Sequence, residues 1–284
     1  MNSSTASVPS HCGADDAVPL RLAVLQRCVD ALQPLRTEAV AALPSTNAEL
    51  LARARQQSPR SAQLLAADHQ SAGRGRHGRA WHARPCSALL FSLAVPLDRL
   101  PPALPAVTLA CGVAVADALR ARGVVVQLKW PNDLLLEGRK LGGILCELAT
   151  DAAGRATLIA GAGINAWLTD DDRAAIGQPA AALADAVDLS SGREAWIAAL
   201  AVAILNAVAA YAEHGFDPWR ARFNALLHGR GQLADIVEGG HTVAGGRIVE
   251  VDAAGRLVLD AGSSTLAISV GDLSLRVTPD GATQ

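Results

Sequence analysis

The chain has 284 residues, of which 50% are hydrophobic and 18% charged, with a formal net charge of -2. This length and composition exclude a collagen, a coiled coil, a disulfide-stapled miniprotein and a wholly disordered chain. The near-neutral charge excludes a general attraction to nucleic acid or to an anionic membrane, so any basic function has to be local. The five cysteines form no CxxC pair and the N-terminus has no apolar segment, which favours a reducing, cytoplasmic location.

The first half of the chain predicts helices that alternate with short strands. Residues 1–18 are rich in small polar residues and lack periodicity, which predicts a disordered tail. Helices are predicted over residues 20–32, from Thr46 onward with a capping box of Thr46 and Glu49, and over residues 105–122. Strands are predicted over residues 64–67, 88–95, 124–128, 141–148 and 157–164, with residues 151–154 as the hairpin turn between the last two.

The second half predicts one long helix followed by a run of short strands. Residues 193–213 form the helix, which opens with a capping box of Ser191 and Glu194. This segment is apolar enough to suggest a membrane span, but its apolar residues recur at helical spacing, so we expect a buried helix and no membrane partner. Five short strands are predicted over residues 233–237, 247–251, 256–259, 265–270 and 273–277. The chain is therefore divided into a tail (1–18), a mixed α/β domain (19–229) and a small separate β-barrel or sandwich (230–284).

Residues 70–81 read QSAGRGRHGRAW and formally contain GxGxxG. No helix is predicted to follow, so a dinucleotide-binding fingerprint is excluded by its context. Three guanidinium groups on a flexible, glycine-rich backbone suit the binding of an anion, and a solvated basic surface loop is the alternative. The three are Arg74, Arg76 and Arg79.

Residues 129–147 read KWPNDLLLEGRKLGGILCE and contain both lysines of the chain, Lys129 and Lys140. Every other basic residue is arginine, which indicates that these two positions need a compact ammonium group to contact a phosphate or carboxylate. The alternative is a hairpin with Asn132 and Asp133 as ordinary turn residues and Lys140 merely exposed. That alternative explains the turn residues but not the placement of the two lysines.

Two further motifs, each taken alone, are weaker evidence for a ligand-binding site. Residues 161–165 read GAGIN, where small residues permit a close backbone approach and Asn165 offers both a donor and an acceptor. Residues 45–47 read STN, and a helix cap already explains them. A functional reading points the same polar atoms at a ligand beside the helix N-terminus.

In this order the four motifs resemble those of the biotin protein ligases. The resemblance covers about residues 43–165 for the motifs, and the C-terminal strands are similar to that family's Src-homology-3-like domain. It implies an α/β (α+β) fold like that of the class II aminoacyl-tRNA synthetases: a mixed sheet with flanking helices, plus the small C-terminal β-barrel. It also implies an AMP-forming ligase that converts biotin and Mg-ATP into biotinyl-5′-AMP and pyrophosphate. The biotinyl group then passes to a lysine of a biotin carboxyl carrier protein of acetyl-CoA carboxylase.

The resemblance also implies roles for individual residues. The positions that match contacts to biotin are Ser45, Thr46, Asn47, Gln70, Arg74, Gly75, Arg76 and Lys140. The positions on the ATP side are Arg74, Arg79, Lys129, Asn132, Asp133 and Asn165. Arg76 and Lys140 would neutralise the anions that meet when the carboxylate attacks the α-phosphate. Asp133 is the hypothesised group that orients or deprotonates the acceptor lysine.

The remaining expectations concern partners and alternatives. Some members of the family carry an N-terminal DNA-binding module, but only about 40 residues precede the STN motif, too few for a winged helix-turn-helix, so DNA binding is not expected. The resemblance allows a monomer or a weak homodimer, and no protein-held metal site is expected. A lipoate or octanoate ligase is the enzymatic alternative, and a non-catalytic biotin sensor is the alternative from another functional class.

Overall fold

The computed structural model describes residues 18–100, 104–269 and 273–278. Apart from Val18, the predicted disordered tail lies outside the described residues, and so does the last residue of the strand predicted over 265–270. The described chain contains two β-sheets, one of seven strands and one of five.

The first sheet is mixed, as predicted. Its strands are β1 (Arg36–Leu43), β2 (Gln63–Gln70), β3 (Ala88–Leu97), β4 (Gln127–Lys129), β5 (Asp133–Leu136), β6 (Arg139–Thr150) and β7 (Ala156–Asn165). The spatial order is β1-β2-β3-β7-β6-β5-β4, where β1 and β2 run parallel and every other neighbouring pair runs antiparallel. The predicted hairpin at residues 151–154 joins β6 to β7. The buried strand predicted over residues 124–128 is the shorter β4, which begins three residues later.

Helices cover both faces of this sheet. They are α1 (Leu22–Asp30), α2 (Thr46–Gln56), α3 (Val107–Arg120), α4 (Asp170–Ile176), α5 (Gly192–His214) and α6 (Asp217–Leu226). Helices α1 and α3 pack against α5, which in turn lies on β3. Helix α2 packs on β3, β6 and β7 over a smaller apolar cluster that includes Leu50, Leu65 and Ile159. Helix α2 lies apart from the layer of α1, α3 and α5, and its N-terminus forms part of a cavity wall.

Both predicted capping boxes are wrong. The N-cap of α2 is Ser45, one residue before the predicted Thr46, and its hydroxyl accepts a hydrogen bond from the backbone N–H of Ala48. In the described part of the chain, Ser191 makes no side-chain cap bond to α5, because its backbone is already helical. The carboxylate of Glu194 accepts instead from the backbone N–H of Arg21, just before α1.

Helix α5 is long and apolar enough, by length and composition, to cross a membrane. In the structure, 61% of its most apolar window is buried inside the protein itself. It packs against α1, α3 and β3, and its fully buried side chains include Ile197, Leu200 and Ile204. This burial is what the core helix of a globular domain shows.

The second sheet is antiparallel and small, as predicted. Its strands are β8 (Leu233–Glu238), β9 (His241–Val251), β10 (Leu257–Asp260), β11 (Thr265–Ile268) and β12 (Leu273–Val277), in the order β11-β10-β9-β8-β12. Strand β9 begins six residues before the predicted start at residue 247, and it includes the pair Gly245 and Gly246, which are typical turn residues. An added Cβ at Gly246 would lie 2.6 Å from the carbonyl oxygen of Asp260 on the neighbouring strand.

The two sheets share one hydrophobic core. Apolar side chains of the second sheet, such as Ile236, Ile248 and Leu257, belong to the same buried cluster as those of α3 and α5. The buried indole of Trp130 donates to the carbonyl oxygen of Gly255 at 3.2 Å, which connects the β4–β5 loop to the β9–β10 turn. The boundary between residues 229 and 230 stays a prediction. Among the described residues, the buried apolar side chains of the C-terminal strands belong to the shared cluster and not to a separate one.

Candidate active site

A cavity of about 350 Å³ opens beside the N-terminus of α2. Strands β3, β6 and β7 form its floor, the arginine-rich loop of residues 74–81 covers one side, and the β4–β5 loop and β12 close the other. Its size is that of a small-molecule site. The motifs that are separated along the chain therefore meet around one cavity.

Asn47 is the centre of a hydrogen-bond network on the cavity floor. Its side chain Nδ2 donates to the carbonyl oxygen of Leu145 at 3.1 Å and to Glu147 Oε2 at 2.8 Å. Its Oδ1 accepts from the hydroxyl of Ser92 at 2.6 Å. Both amide hydrogens are therefore used, and Asn47 can offer a ligand only the second lone pair of Oδ1.

Two glycines of the GAGIN motif make this close packing possible. A Cβ at Gly161 would lie 2.0 Å from Asn47 Oδ1, and a Cβ at Gly163 would lie 2.9 Å from the indole ring of Trp81. Any larger residue on these β7 positions would therefore push the polar network or the loop away from the sheet. The small residues of the motif therefore allow Asn47 and Trp81 to approach the backbone of β7 closely, as the sequence predicts.

Thr46 and Gln70 continue the network toward the arginine-rich loop. The side chain of Gln70 accepts from the backbone N–H of Thr46 at 2.7 Å, and the Thr46 hydroxyl lies 2.7 Å from that of Ser92. The Ser92 hydrogen is given to Asn47. The single hydrogen of the Thr46 hydroxyl therefore has two acceptors within reach, the Ser92 oxygen at 2.7 Å and Gln70 Oε1 at 3.1 Å. These hydrogen bonds connect the first turn of α2 to β2 and β3. The partial positive charge of the helix N-terminus therefore lies at the cavity.

The arginine-rich loop is folded back on itself. The backbone N–H of Gly75 donates to the carbonyl oxygen of Arg79 at 2.7 Å, and that of Trp81 donates to the carbonyl oxygen of Gly73 at 2.8 Å. The side chain of Arg79 donates to the hydroxyl of Ser274 in β12 at 2.9 Å. The side chain of Arg74 reaches the other way, to Glu147. The loop therefore bridges the two sheets above the cavity.

Lys140 and Asp133 form an ion pair opposite the loop. Lys140 Nζ lies 2.9 Å from Asp133 Oδ1, and 6.0 Å from the centre of the Trp81 ring. The backbone of Lys140 is held by hydrogen bonds to Pro179 and Ala181. The ammonium is thereby aimed into the cavity from a rigid strand.

The electrostatics of the cavity favour an anionic ligand. Burial lowers the pKa of Lys129, and the nearby charges of Lys140, Arg79 and Arg276 lower it further, while Asp133 opposes them. Among the described residues that line the cavity, six are Arg or Lys and one is acidic. The six are Arg74, Arg76, Arg79, Lys129, Lys140 and Arg276. Such a surplus of positive charge is relieved when phosphate or carboxylate groups enter.

The cavity brings together twelve of the thirteen residues singled out from the sequence. Asn165 is the exception, since its buried amide donates to the carbonyl oxygen of Ala181 at 2.9 Å, outside the lining. Asn132 lines the cavity and also holds the Ile144 carbonyl oxygen of β6 at 3.1 Å. No group of three or more His, Cys, Asp or Glu side chains that could hold a metal ion occurs within residues 18–100, 104–269 and 273–278.

Sequence reasoning missed part of the lining. Ser92 is fully buried in β3, and its only signal was one hydroxyl in an otherwise apolar strand. Ser274 and Arg276 reach the cavity from β12, which is remote in the chain and carries no motif. Glu147, which ends the lysine-bearing motif, lies outside the lining but contacts Asn47 and Arg74, and the sequence assigned it no role.

Comparisons of the chain with known protein families and known proteins agree with the geometry of this site. A model described as the biotin/lipoate A/B protein ligase family matches residues 39–165. The chain is 34% identical over 245 residues to a biotin–[acetyl-CoA-carboxylase] ligase of Mycobacterium tuberculosis, covering 83% of this chain and 87% of that one. It is 31% identical over 241 residues to the bifunctional ligase/repressor BirA of Escherichia coli, covering 84% and 74% respectively.

A solved structure confirms the predicted fold class. It is the biotin protein ligase from Aquifex aeolicus in complex with biotin and ATP, with a TM-score of 0.71 at 24% identity. The match covers 86% of this chain and 99% of that one. The ordered motifs, the fold and the two relatives above 30% identity lead to one conclusion: the chain belongs to the biotin protein ligase family.

Proposed function

We propose that the chain activates biotin with ATP to biotinyl-5′-AMP and transfers the biotinyl group to a lysine of a biotin carboxyl carrier protein. The observation that carries this proposal is a single cavity with two ends of different chemistry. One end is lined by uncharged polar side chains at the N-terminus of α2, among them Ser45 and Asn47, and the other end is lined by arginine and lysine side chains. Biotin has the matching features, because its ring contains a neutral cyclic urea and its side chain ends in a carboxylate.

The urea end is proposed to bind on the first turn of α2. A cyclic urea presents two N–H donors and one carbonyl acceptor, and Asn47 Oδ1 keeps a lone pair for one of these donors. Ser45 and Gln70 line the same end and contribute further polar atoms. Trp81 and Leu145 provide apolar surface for the remainder of the ring and its side chain.

In the first step, a carboxylate oxygen of biotin attacks the α-phosphorus of ATP, the bond to the bridging oxygen breaks, and pyrophosphate leaves. Two anions must approach each other, so cations at the point of attack lower the barrier. We assign this role to Arg76 and Lys140. Arg74 and Arg79 of the loop, together with Lys129 and Asn132, are proposed to hold the adenylate and the phosphates. Gly75 of the same loop is proposed to contact biotin. Magnesium would reach the site bound to ATP, as part of the Mg-ATP substrate.

In the second step, the acceptor lysine loses a proton, its nitrogen attacks the acyl carbon, and AMP leaves as the amide bond forms. Asp133 is proposed to orient or deprotonate this lysine. Its ion pair with Lys140 at 2.9 Å means that it first positions Lys140. Once Lys140 turns to the phosphate, a carboxylate oxygen is released for the incoming ammonium.

Asn165 is proposed to act indirectly on the nucleotide-binding side of the cavity, through backbone hydrogen bonds. Its amide holds the carbonyl oxygen of Ala181, and the backbone N–H of Ala181 donates to the carbonyl oxygen of Lys140, each at 2.9 Å. Asn165 is therefore a positioning residue for the strand that carries Lys140.

Residues 19–229 would form the catalytic unit and residues 230–284 the β-domain that contributes Ser274 and Arg276. The protein would act in the cytoplasm as a monomer or weak homodimer, without DNA or membrane as a partner. The four described cysteines are free thiols, which agrees with a reducing compartment.

The proposal is tested by product identification. The purified protein is incubated with biotin, Mg-ATP and a biotin carboxyl carrier domain, and the domain is analysed by mass spectrometry. We expect one biotinyl group on one lysine, and no product when that lysine is replaced by arginine. Accumulation of biotinyl-5′-AMP without transfer would confine the function to the first step, and the absence of both products would refute it.

A further inference from the structure

Glu147 on β6 contacts both the floor of the cavity and the loop above it. Its Oε2 accepts from Asn47 Nδ2 at 2.8 Å, and both of its carboxylate oxygens lie 3.4 Å from Arg74 Nη2. We infer that Glu147 is a positioning residue that couples closure of the arginine-rich loop to the orientation of the Asn47 amide. The inference deepens the proposed function and rests on it for the identity of the ligand.

The floor contact decides which way the Asn47 amide faces. The two Nδ2 hydrogens need two acceptors, and these are the Leu145 carbonyl oxygen and Glu147. A flipped amide would turn Oδ1 toward both of these oxygens and lose the bond from Ser92. Glu147 therefore helps to keep Oδ1 on the side of Ser92 and Gly161, with its second lone pair left for a hydrogen bond from a ligand.

The loop contact depends on solvent. The side chain of Arg74 is 41% exposed and that of Glu147 28% exposed, so water screens the pair. A ligand that fills the cavity and lies under the loop removes water from the pair and strengthens it. The only carboxylate lining the cavity among the described residues, Asp133, is already paired with Lys140. One carboxylate on a rigid strand thus responds both to the covering loop and to the ligand-binding amide.

Two substitutions separate the two contacts. Glu147→Gln keeps an acceptor oxygen for Asn47 but removes the charge that attracts Arg74, whereas Glu147→Ala removes both contacts. The matched control is Glu38→Gln on β1. Glu38 forms an ion pair with Arg53 at 2.9 Å, its side chain is 32% exposed, and it does not line the cavity.

The kinetic readout is biotin-dependent exchange of pyrophosphate into ATP. We expect Glu147→Gln to raise the KM for biotin about two- to fivefold with kcat nearly unchanged. We expect Glu147→Ala to raise the KM more than about tenfold, because a buried Asn47 hydrogen loses its partner. Glu38→Gln should match the wild type. In an Arg74→Gln background, Glu147→Gln should have no further effect, since the pair is already broken.

Trypsin provides a readout that does not need activity. Without ligand, cleavage at the loop arginines should be about two- to fivefold faster in Glu147→Gln than in Glu38→Gln, because cleavage follows the open population. Equal cleavage rates in these two variants, or multiplicative effects of Arg74→Gln and Glu147→Gln on the KM, would overturn the coupling. If the wild-type protein shows no biotin-dependent exchange, the proposed function fails, and the trypsin comparison alone decides whether Glu147 holds the loop.

Discussion

Replacing Gly161 by alanine tests the proposed biotin-binding floor at its most crowded point. The added methyl group would lie 2.0 Å from Asn47 Oδ1 and 3.0 Å from the hydroxyl of Ser92. Overpacking of this kind costs about 1–3 kcal/mol, and each buried polar group left without its partner costs about 1–3 kcal/mol more. If about 3 kcal/mol of this is lost from biotin binding, the KM for biotin in the pyrophosphate exchange assay rises roughly 150-fold.

A second glycine provides the control. A Cβ at Gly112 in α3 would meet Leu128 at 3.7 Å, which is ordinary van der Waals contact. Gly112→Ala should therefore raise the melting temperature slightly, because alanine is favoured over glycine in a helix by about 0.5–1 kcal/mol, and leave the KM for biotin unchanged. If Gly161→Ala kept its KM for biotin within about twofold of the wild type, the Asn47 network would not be the biotin-binding floor.

Four further changes have defined outcomes. Lys140→Gln should lower kcat for pyrophosphate exchange about 100-fold in steady-state kinetics, since it removes a cation from the point of attack; a normal kcat would exclude this role. Asp133→Asn should slow biotin transfer from preformed biotinyl-5′-AMP in a single-turnover assay, and transfer at the wild-type rate would exclude the residue as orienting group or base. Burial lowers the pKa of Lys129 below its usual 10.5. As the pH is raised, Lys129 should therefore lose its charge, and the ATP affinity of the wild type should weaken, before the pH reaches 10.5. Lys129→Arg should retain its affinity there, and parallel pH profiles of the ATP KM would contradict the assignment. A hydrogen bond from the backbone N–H of Ser58 keeps the pKa of Asp151 well below its usual 3.8, so the stability it adds is present above that pH and lost as pH falls through the lowered value. The difference in unfolding free energy between the wild type and Asp151→Asn, followed by urea titration, should therefore shrink as the solution is acidified, and a constant difference would contradict the reasoning.

The parts of the fold that sequence predicted best are those with strong local patterns. Helices α3 and α5 and the β6–β7 hairpin have long apolar periodicity or a clear turn. Strand β1 was missed because it is an edge strand whose half-exposed residues alternate weakly. The α2 cap was misplaced by one residue because Ser45 and Thr46 are both good caps, and only the backbone conformation decides between them.

The site was predictable where its chemistry is concentrated in short motifs. The arginine-rich loop, the lysine motif and the STN motif each predicted their own residues, and the fold brought them to one cavity. Ser274 and Arg276 could not be found in this way, because they reach the cavity through the packing of a sheet that is remote in the chain. Asn165 could not be placed either, since a local motif does not reveal whether an amide faces a ligand or a backbone carbonyl.

The most direct test of the central claim is exchange of labelled pyrophosphate into ATP by the purified protein, with biotin, with lipoate and with no added acid. This measures only the first step, so it does not depend on finding the natural acceptor. We expect exchange that requires biotin and is absent with lipoate or without acid. Exchange with lipoate alone would identify a lipoate ligase, and no exchange with either acid would contradict an activating enzyme and favour a biotin sensor.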